Sequence, residues 1–181
     1  MIGGHVALYF IDIDHFKRVN DTYGHDGGDF LLKAIAQRLS ATTRIEDTVA
    51  RFGGDEFVIV QTGVSDKSQA EAFATRIMSI LSAPMYFKDV EICTTSTIGV
   101  AIAPRDGTTP ERLLTSADLA LYAGKTAGRD CVRFFLPEMD EGMRKRVELE
   151  KLLREKVANE GLVLQYQPIL QMSNKIGRAH V

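Results

Sequence analysis

Thr48-Val49-Ala50-Arg51-Phe52 and Phe57-Val58-Ile59-Val60 are short apolar segments, and between them stand Gly53-Gly54-Asp55-Glu56. Two such segments joined at a glycine pair read as a β-hairpin, because glycine supplies the positive φ that a tight turn needs. The hairpin delivers two acids, Asp55 and Glu56, just beyond its turn.

Upstream, His5 to Asp12 (HVALYFID) is an apolar run ending in acid and reads as a buried strand. The stretch after it is polar and rich in Gly and Asp. Its first part has room for one or two helical turns. Asp26 to Leu39 then places Phe30, Leu31, Ala34, Ile35 and Leu39 on one helical face. Downstream, Ser68 to Leu81 reads as a helix closed by Pro84. Met85–Phe87 and Val90–Ala103 read as a second hairpin around Lys88-Asp89, with a long second strand. Pro110 to Ala127 is a helix with Pro near its start and Gly128 past its end. Cys131 to Phe135 is a short strand. Glu138 to Glu160 is a charged helix with an apolar stripe at Val147, Leu149, Leu152 and Leu153, suited to linking two domains. This order predicts an α+β fold, one mixed sheet with helices packed on it.

Composition narrows the function classes. The chain has 181 residues, 45% hydrophobic and 25% charged, the balance of a globular domain. A chain this long buries about 70% of its unfolded surface and needs no staples. The formal net charge is −2, from 22 basic and 24 acidic residues, with no basic stripe, which argues against a nucleic-acid partner. Cys93 and Cys131 have no CxxC spacing, so neither a zinc site nor a disulfide framework is expected, and a reducing cytoplasm is the simplest setting. Val6 to Ile11 is too short to span a membrane. No membrane contact is expected within this chain; an anchor of the parent protein would lie outside it.

Asp12 and Asp14 stand where the first strand runs out, and Asp55 and Glu56 just past the glycine turn. In a mixed sheet these strand ends can lie side by side. Two unit charges about 4 Å apart repel by roughly 4 kcal/mol at an effective dielectric near 20. A hard divalent cation removes that cost. Magnesium takes one or two carboxylates and fills its other positions with water and phosphate, so the site implies a nucleoside triphosphate as readily as a metal. The plainer alternative is that Asp12 and Asp14 end a strand and cap a helix.

Residues 53–57 spell the GGDEF motif, and Asp12-Ile13-Asp14-His15-Phe16-Lys17-Arg18-Val19-Asn20-Asp21 and Gly24-His25-Asp26-Gly27-Gly28-Asp29 look like other blocks of the GGDEF diguanylate cyclase family. The resemblance runs from about residue 5 to residue 135. It implies a nucleotidyl-cyclase or polymerase-palm-like mixed β-sheet flanked by helices, with the GGDEF turn on a hairpin. It implies joining two GTP into cyclic di-GMP and two pyrophosphates. By similarity, Asp12, Asp55 and the Ile13 carbonyl bind magnesium, for which manganese can substitute. Asp55 or Glu56 assists deprotonation of the attacking 3′-hydroxyl. Gly53 and Gly54 border the substrate. Asn20 and Asp29 match the guanine-reading positions, in keeping with a carboxylate that accepts from the guanine N1–H and N2–H₂ edge. His25 matches a substrate contact, Lys17 a lysine that stabilises the reacting phosphates, and Lys125 and Arg129 the pair on the terminal phosphates. The product is twofold symmetric, so two domains must face each other and the working enzyme is a homodimer. Arg44-Ile45-Glu46-Asp47 resembles the family's RxxD inhibitory site for cyclic di-GMP, with Arg76 as a secondary contact.

The expected organisation is a GGDEF domain over 1–136 lacking its N-terminal helix, a linker helix over 137–160, the start of a truncated EAL phosphodiesterase domain over 161–175, and a tail over 176–181 that reads as a translated sequencing adapter. Leu162 to Ile169 resembles an EAL opening strand. The missing helix is expected to leave one sheet face exposed. Two other functions fit the same residues: a GTP-binding regulatory domain without turnover, and a cyclic di-GMP receptor acting through Arg44 and Asp47.

Overall fold

The computed structural model describes residues 5–158, 171–172 and 175–176. The chain divides into two compact units, Met1–Met143 and Arg144–Val181. In the first, a five-stranded sheet has the order β2-β3-β1-β6-β7, with β1 His5–Ile13, β2 Thr48–Gly53, β3 Glu56–Val64, β6 Ser96–Ala103 and β7 Val132–Phe134. All neighbours are antiparallel except β6 and β7. The predicted mixed sheet of an α+β fold is therefore present, with the Gly-Gly turn joining β2 to β3.

Alternation along β1 divides the core. Tyr9, Ile11 and Ile13 face helices α1 (Phe16–Thr42) and α2 (Lys67–Ser82), in a cluster with Leu31, Ile35, Leu39, Phe73 and Ile77. Leu8 and Phe10 face the other way, in a cluster with Val58, Leu113, Ala117 and Leu121, where helix α3 (Pro110–Thr126) packs. The expected bare face is largely covered: Leu8, Phe10 and Val58 are buried, while edge strand β2 is mostly exposed. Helix starts obey local rules. Asp66 accepts from the Gln69 amide ahead of α2, and Thr109 from the Arg112 amide ahead of α3, whose first residue is Pro110.

The polar stretch after β1 is helical from Phe16 and breaks at Gly24 (φ 72, ψ 174), beyond which a second helical segment runs on, in keeping with one or two helical turns ahead of a helix from Asp26. One sequence expectation changes. The long strand over Val90–Ala103 is two strands. β5 (Val90–Ile92) pairs with β4 (Met85–Phe87) in a small ribbon, and β6 belongs to the main sheet. Between them the chain leaves the ladder because Thr94 and Thr95 bond to Asp14 instead. The Thr94 hydroxyl donates to the Asp14 carbonyl at 3.3 Å, and the Asp14 amide to the Thr95 carbonyl at 3.0 Å.

Helix α4 (Pro137–Ala158) follows, with Leu149, Leu152 and Leu153 exposed. In the second unit Gln171–Met172 and Lys175–Ile176 pair as a short antiparallel ribbon. The predicted EAL strand over Leu162 to Ile169 and residues 177–181 lie outside the described residues. Among the described residues, no helix is long and apolar enough to cross a membrane.

Candidate functional site

Register brings the acids together. Asp12 stands opposite Glu56 in the β1–β3 ladder, and the Ile13 amide donates to the Asp55 carbonyl at 3.3 Å, one step past it. Asp12 follows Leu8 and Phe10 in alternation, so it belongs to the α3 side of the sheet. There Lys125, in the last turn of α3, puts its Nζ 2.7 Å from Asp12 Oδ2. Asp12 is only 7% exposed. Burial pushes its carboxyl above the ordinary value; Lys125 pulls it down by hydrogen bond and charge, and Asp55 and Asp14 push it up. Glu56 is raised likewise by burial, lowered by Lys125, and raised by Asp12, Asp55 and Asp118. Asp12, Asp55 and Glu56 thus lie within electrostatic reach of one another, and Asp12 and Glu56 also of one lysine. Among the described residues no group of three or more His, Cys, Asp or Glu is close enough to hold a metal. Magnesium asks for only one or two carboxylates.

The turn is held from one side. Arg51 donates through Nε and Nη2 to the Gly54 carbonyl at 2.8 and 2.6 Å. Gly54 has φ 48, which a side chain would strain, and both glycines border open space. The rim beside Asp55 is therefore unobstructed. Arg51 stands two residues before the motif, and nothing in the sequence announces its clamp on Gly54.

Along α1, Lys17, His25 and Asp29 are exposed and Asn20 is half-buried. Neither Asn20 nor Asp29 caps a helix; both lie inside α1. The break at Gly24 lets the second half of the helix close on the first, so that a Cβ at Gly28 would collide with Asn20 Oδ1 and crowd Phe16 Cζ. Gly28 thus lets the Asn20 amide rest beside the backbone that carries Asp29. On the expectation that Asn20 and Asp29 read guanine, Gly28→Ala should displace Asn20 and weaken GTP binding by about tenfold with little effect on ATP binding. Equilibrium titration with both nucleotides checks this, and a GTP change under about twofold would detach Gly28 from the site.

Asp14 is no helix cap. Its carboxylate is 3% exposed and accepts from the hydroxyls of Thr95 and Thr97, both at 2.8 Å, and from the Asp130 amide at 3.1 Å. These bonds tie the end of β1 to the start of β6 and to the loop after α3. That loop is fastened again by the Arg129 amide, which donates to the Gly124 carbonyl at 3.1 Å. Arg129 is therefore rooted between two fixed points near Lys125. Only the proximity of Asp14 to Asp12 marked it in the sequence; its partners lie 81 to 116 residues away.

Arg44 and Asp47 form a turn at the far end of the hairpin. Asp47 accepts from the Arg44 amide at 3.1 Å and from the Thr62 amide at 3.2 Å. The Arg44 guanidinium lies 3.9 Å from Glu46, in an exposed pair. Arg76, stacked on Phe73, donates to the Thr42 carbonyl at 3.0 Å, so α2 carries it toward the same turn. Glu56 and Thr62 are at opposite ends of β3, about 20 Å apart at the usual strand rise. The structure thus separates the Arg44–Asp47 turn from the acids.

A cavity of about 430 Å³ lined by His15, Arg18, Tyr23, Cys93 and Thr95 contains none of the expected nucleotide residues. The glycine turn is exposed, with Asp55 and Glu56 half-buried beside it and Asp12 buried behind them.

A family model described as "Diguanylate cyclase, GGDEF domain" matches residues 2–131. MucR of Pseudomonas aeruginosa, a bifunctional diguanylate cyclase/cyclic di-GMP phosphodiesterase, is 38% identical over 162 residues, which is 90% of this chain and 24% of MucR. The chain thus spans less than a third of the length of the curated relatives it matches. The GGDEF domain of TpbB from P. aeruginosa superposes with a TM-score of 0.75 at 35% identity, covering 78% of this chain and 83% of that one. The GGDEF domain of DgcB from Caulobacter crescentus, solved in complex with c-di-GMP, superposes with a TM-score of 0.67 at 29% identity, covering 73% of this chain and 78% of that one. From the paired acids at the ends of β1 and β3, the glycine turn and these likenesses together, the chain belongs to the GGDEF domain family.

Proposed function

We propose that this chain is the catalytic core of a diguanylate cyclase, which binds GTP with magnesium and, facing a second copy, condenses two GTP into cyclic di-GMP and two pyrophosphates. The observation that carries this reading is the meeting of Asp12 with Asp55 and Glu56 at one end of the sheet's inner strands, with Lys125 on the Asp12 carboxylate.

The donor set fits magnesium. It offers hard carboxylate oxygens from two paired strands, and an ammonium already rests on Asp12 where positive charge is favoured. Asp12, Asp55 and the Ile13 carbonyl would hold the ion, with manganese able to replace it. When bound, it neutralises phosphate charge and acidifies the attacking hydroxyl. The chain does the rest. Asn20 and Asp29 orient the guanine, with His25 beside them. Lys17 stabilises the charge that develops on the α-phosphate, and Lys125 and Arg129 hold the terminal phosphates. Asp55 or Glu56 takes the proton from the 3′-hydroxyl. That oxygen bonds to the facing nucleotide's α-phosphorus as the bond to pyrophosphate breaks. Each ribose must reach the other's phosphate, which requires a homodimer.

Product would bind at Arg44 and Asp47, with Arg76 nearby. The guanidinium fork suits phosphate oxygens or the guanine edge. Being remote from the acids, this site would inhibit allosterically.

Incubation with GTP and magnesium, followed by nucleotide chromatography, tests the reading. Cyclic di-GMP and pyrophosphate are expected in a ratio of about 1:2. GTP bound but never converted would support a regulatory domain instead, a role compatible with MucR, a relative named for both cyclase and phosphodiesterase activities.

A further inference from the structure

The Asp12–Lys125 pair joins the expected metal carboxylate to an expected phosphate-binding lysine, and one lysine cannot serve both partners at once. We propose that Lys125 is an exchangeable counter-cation: it occupies the metal position on Asp12 while nucleotide is absent and transfers to the terminal phosphates when metal and GTP arrive together. The inference rests on the assignment of the metal to Asp12 made above.

Geometry supports the exchange. The root of Lys125 is fixed. A Cβ at the preceding Gly124 would come 2.6 Å from Thr97 Cγ2 and 3.2 Å from Cys131 Sγ, so this turn of α3 lies hard against β6 and the loop. The Ala127 and Arg129 amides close the helix end on the Gly124 carbonyl. Beyond that root the side chain is a flexible four-carbon stem with a compact ammonium at its tip, 30% exposed. It can leave Asp12 without moving the helix. Asp12 is itself buried to 10% side-chain exposure, so losing the lysine with no replacement would strand a charge.

Electrostatics gives the exchange its direction. Asp12 and Glu56 both lie in reach of the one ammonium, and Asp55 adds its negative charge beside both of them. A divalent cation supplies more charge to the same oxygens than Lys125 does, but alone it must first displace the lysine and leave the ammonium unpaired. The triphosphate provides the displaced ammonium with a new partner. Metal and nucleotide therefore favour each other's binding, and by linkage the coupling is the same in both directions.

Binding of Mn²⁺ to the full chain, followed by loss of the free-ion paramagnetic resonance signal, tests this without turnover. In the absence of nucleotide, Lys125→Met and Lys125→Gln should each bind Mn²⁺ about tenfold more tightly than wild type, with Lys125→Arg staying near wild type. A non-hydrolysable GTP analogue should tighten Mn²⁺ binding to wild type more than to Lys125→Met. Asp12→Asn should abolish binding. If Asp12→Asn abolishes binding but Lys125→Met and Lys125→Gln bind no tighter than wild type, the exchange is wrong and the metal assignment stands. If Asp12→Asn binds Mn²⁺ as wild type does, or no variant binds it, the metal assignment falls and the exchange with it.

Discussion

Replacing Asp55 with alanine is expected to lower cyclic di-GMP synthesis by at least about a thousandfold while leaving the fold in place. The reason for the contrast is local. What Asp55 contributes to the architecture is its carbonyl, which accepts from the Ile13 amide, and alanine retains it. The turn keeps its shape through Gly54 and the Arg51 clamp. Only the carboxylate disappears, and with it one of the two side chains expected to hold magnesium. Glu56 remains, but its place is fixed opposite Asp12 at the start of β3, so it should not move into the position that the Asp55 carboxylate leaves in the turn. The Arg44–Asp47 turn is anchored at the other end of β3 by the Thr62 amide. Affinity for cyclic di-GMP should therefore stay within about twofold of wild type, since separated sites with no shared partner behave independently. Rates from nucleotide chromatography and affinities from calorimetry on the same preparation check both halves. More than a tenth of wild-type synthesis remaining would remove Asp55 from the chemistry.

The features legible in the sequence are those written in neighbouring residues. The hairpin shows because a glycine pair interrupts two apolar segments. The start of α3 shows in Pro110, and the strand character of β1 in its unbroken apolar run. The acids could be expected to meet because strand ends carry them, although nothing local states the register that sets Asp12 opposite Glu56. The features that stayed hidden rest on distant partners. The break over Cys93–Thr95 looks like continuous strand until Asp14, some 80 residues earlier, draws those threonines out of the ladder. Lys125 reads as a cation at a helix end, and its partner is 113 positions away. Gly28 sits in an ordinary helical pattern, and its purpose appears only when the bend at Gly24 brings Asn20 against it. Periodicity and turn chemistry encode elements; the contacts that turn elements into a site depend on how they fold back on each other.

Asp14→Ala should be the most damaging single change to stability among the residues around the site. The carboxylate is nearly fully buried and gathers three donors from two other parts of the chain. Alanine leaves the hydroxyl of Thr97, a residue with no exposed surface, without the acceptor it has in the native fold, and frees the Asp130 amide. A buried donor left unsatisfied costs about 1–3 kcal/mol. With a shared acceptor lost, a total of about 2–4 kcal/mol is expected. For a domain of this size that lowers Tm by roughly 5–15 °C, readable by thermal circular dichroism. Thr97→Val alone removes the donor with its bond and should cost less, because no buried donor is orphaned at that position. Combining the two changes should cost less than the sum of the separate losses, since both abolish the same hydrogen bond. A fall in Tm below about 2 °C, or strict additivity, would mean that the Asp14 carboxylate does not fasten β1, β6 and the Arg129 loop together.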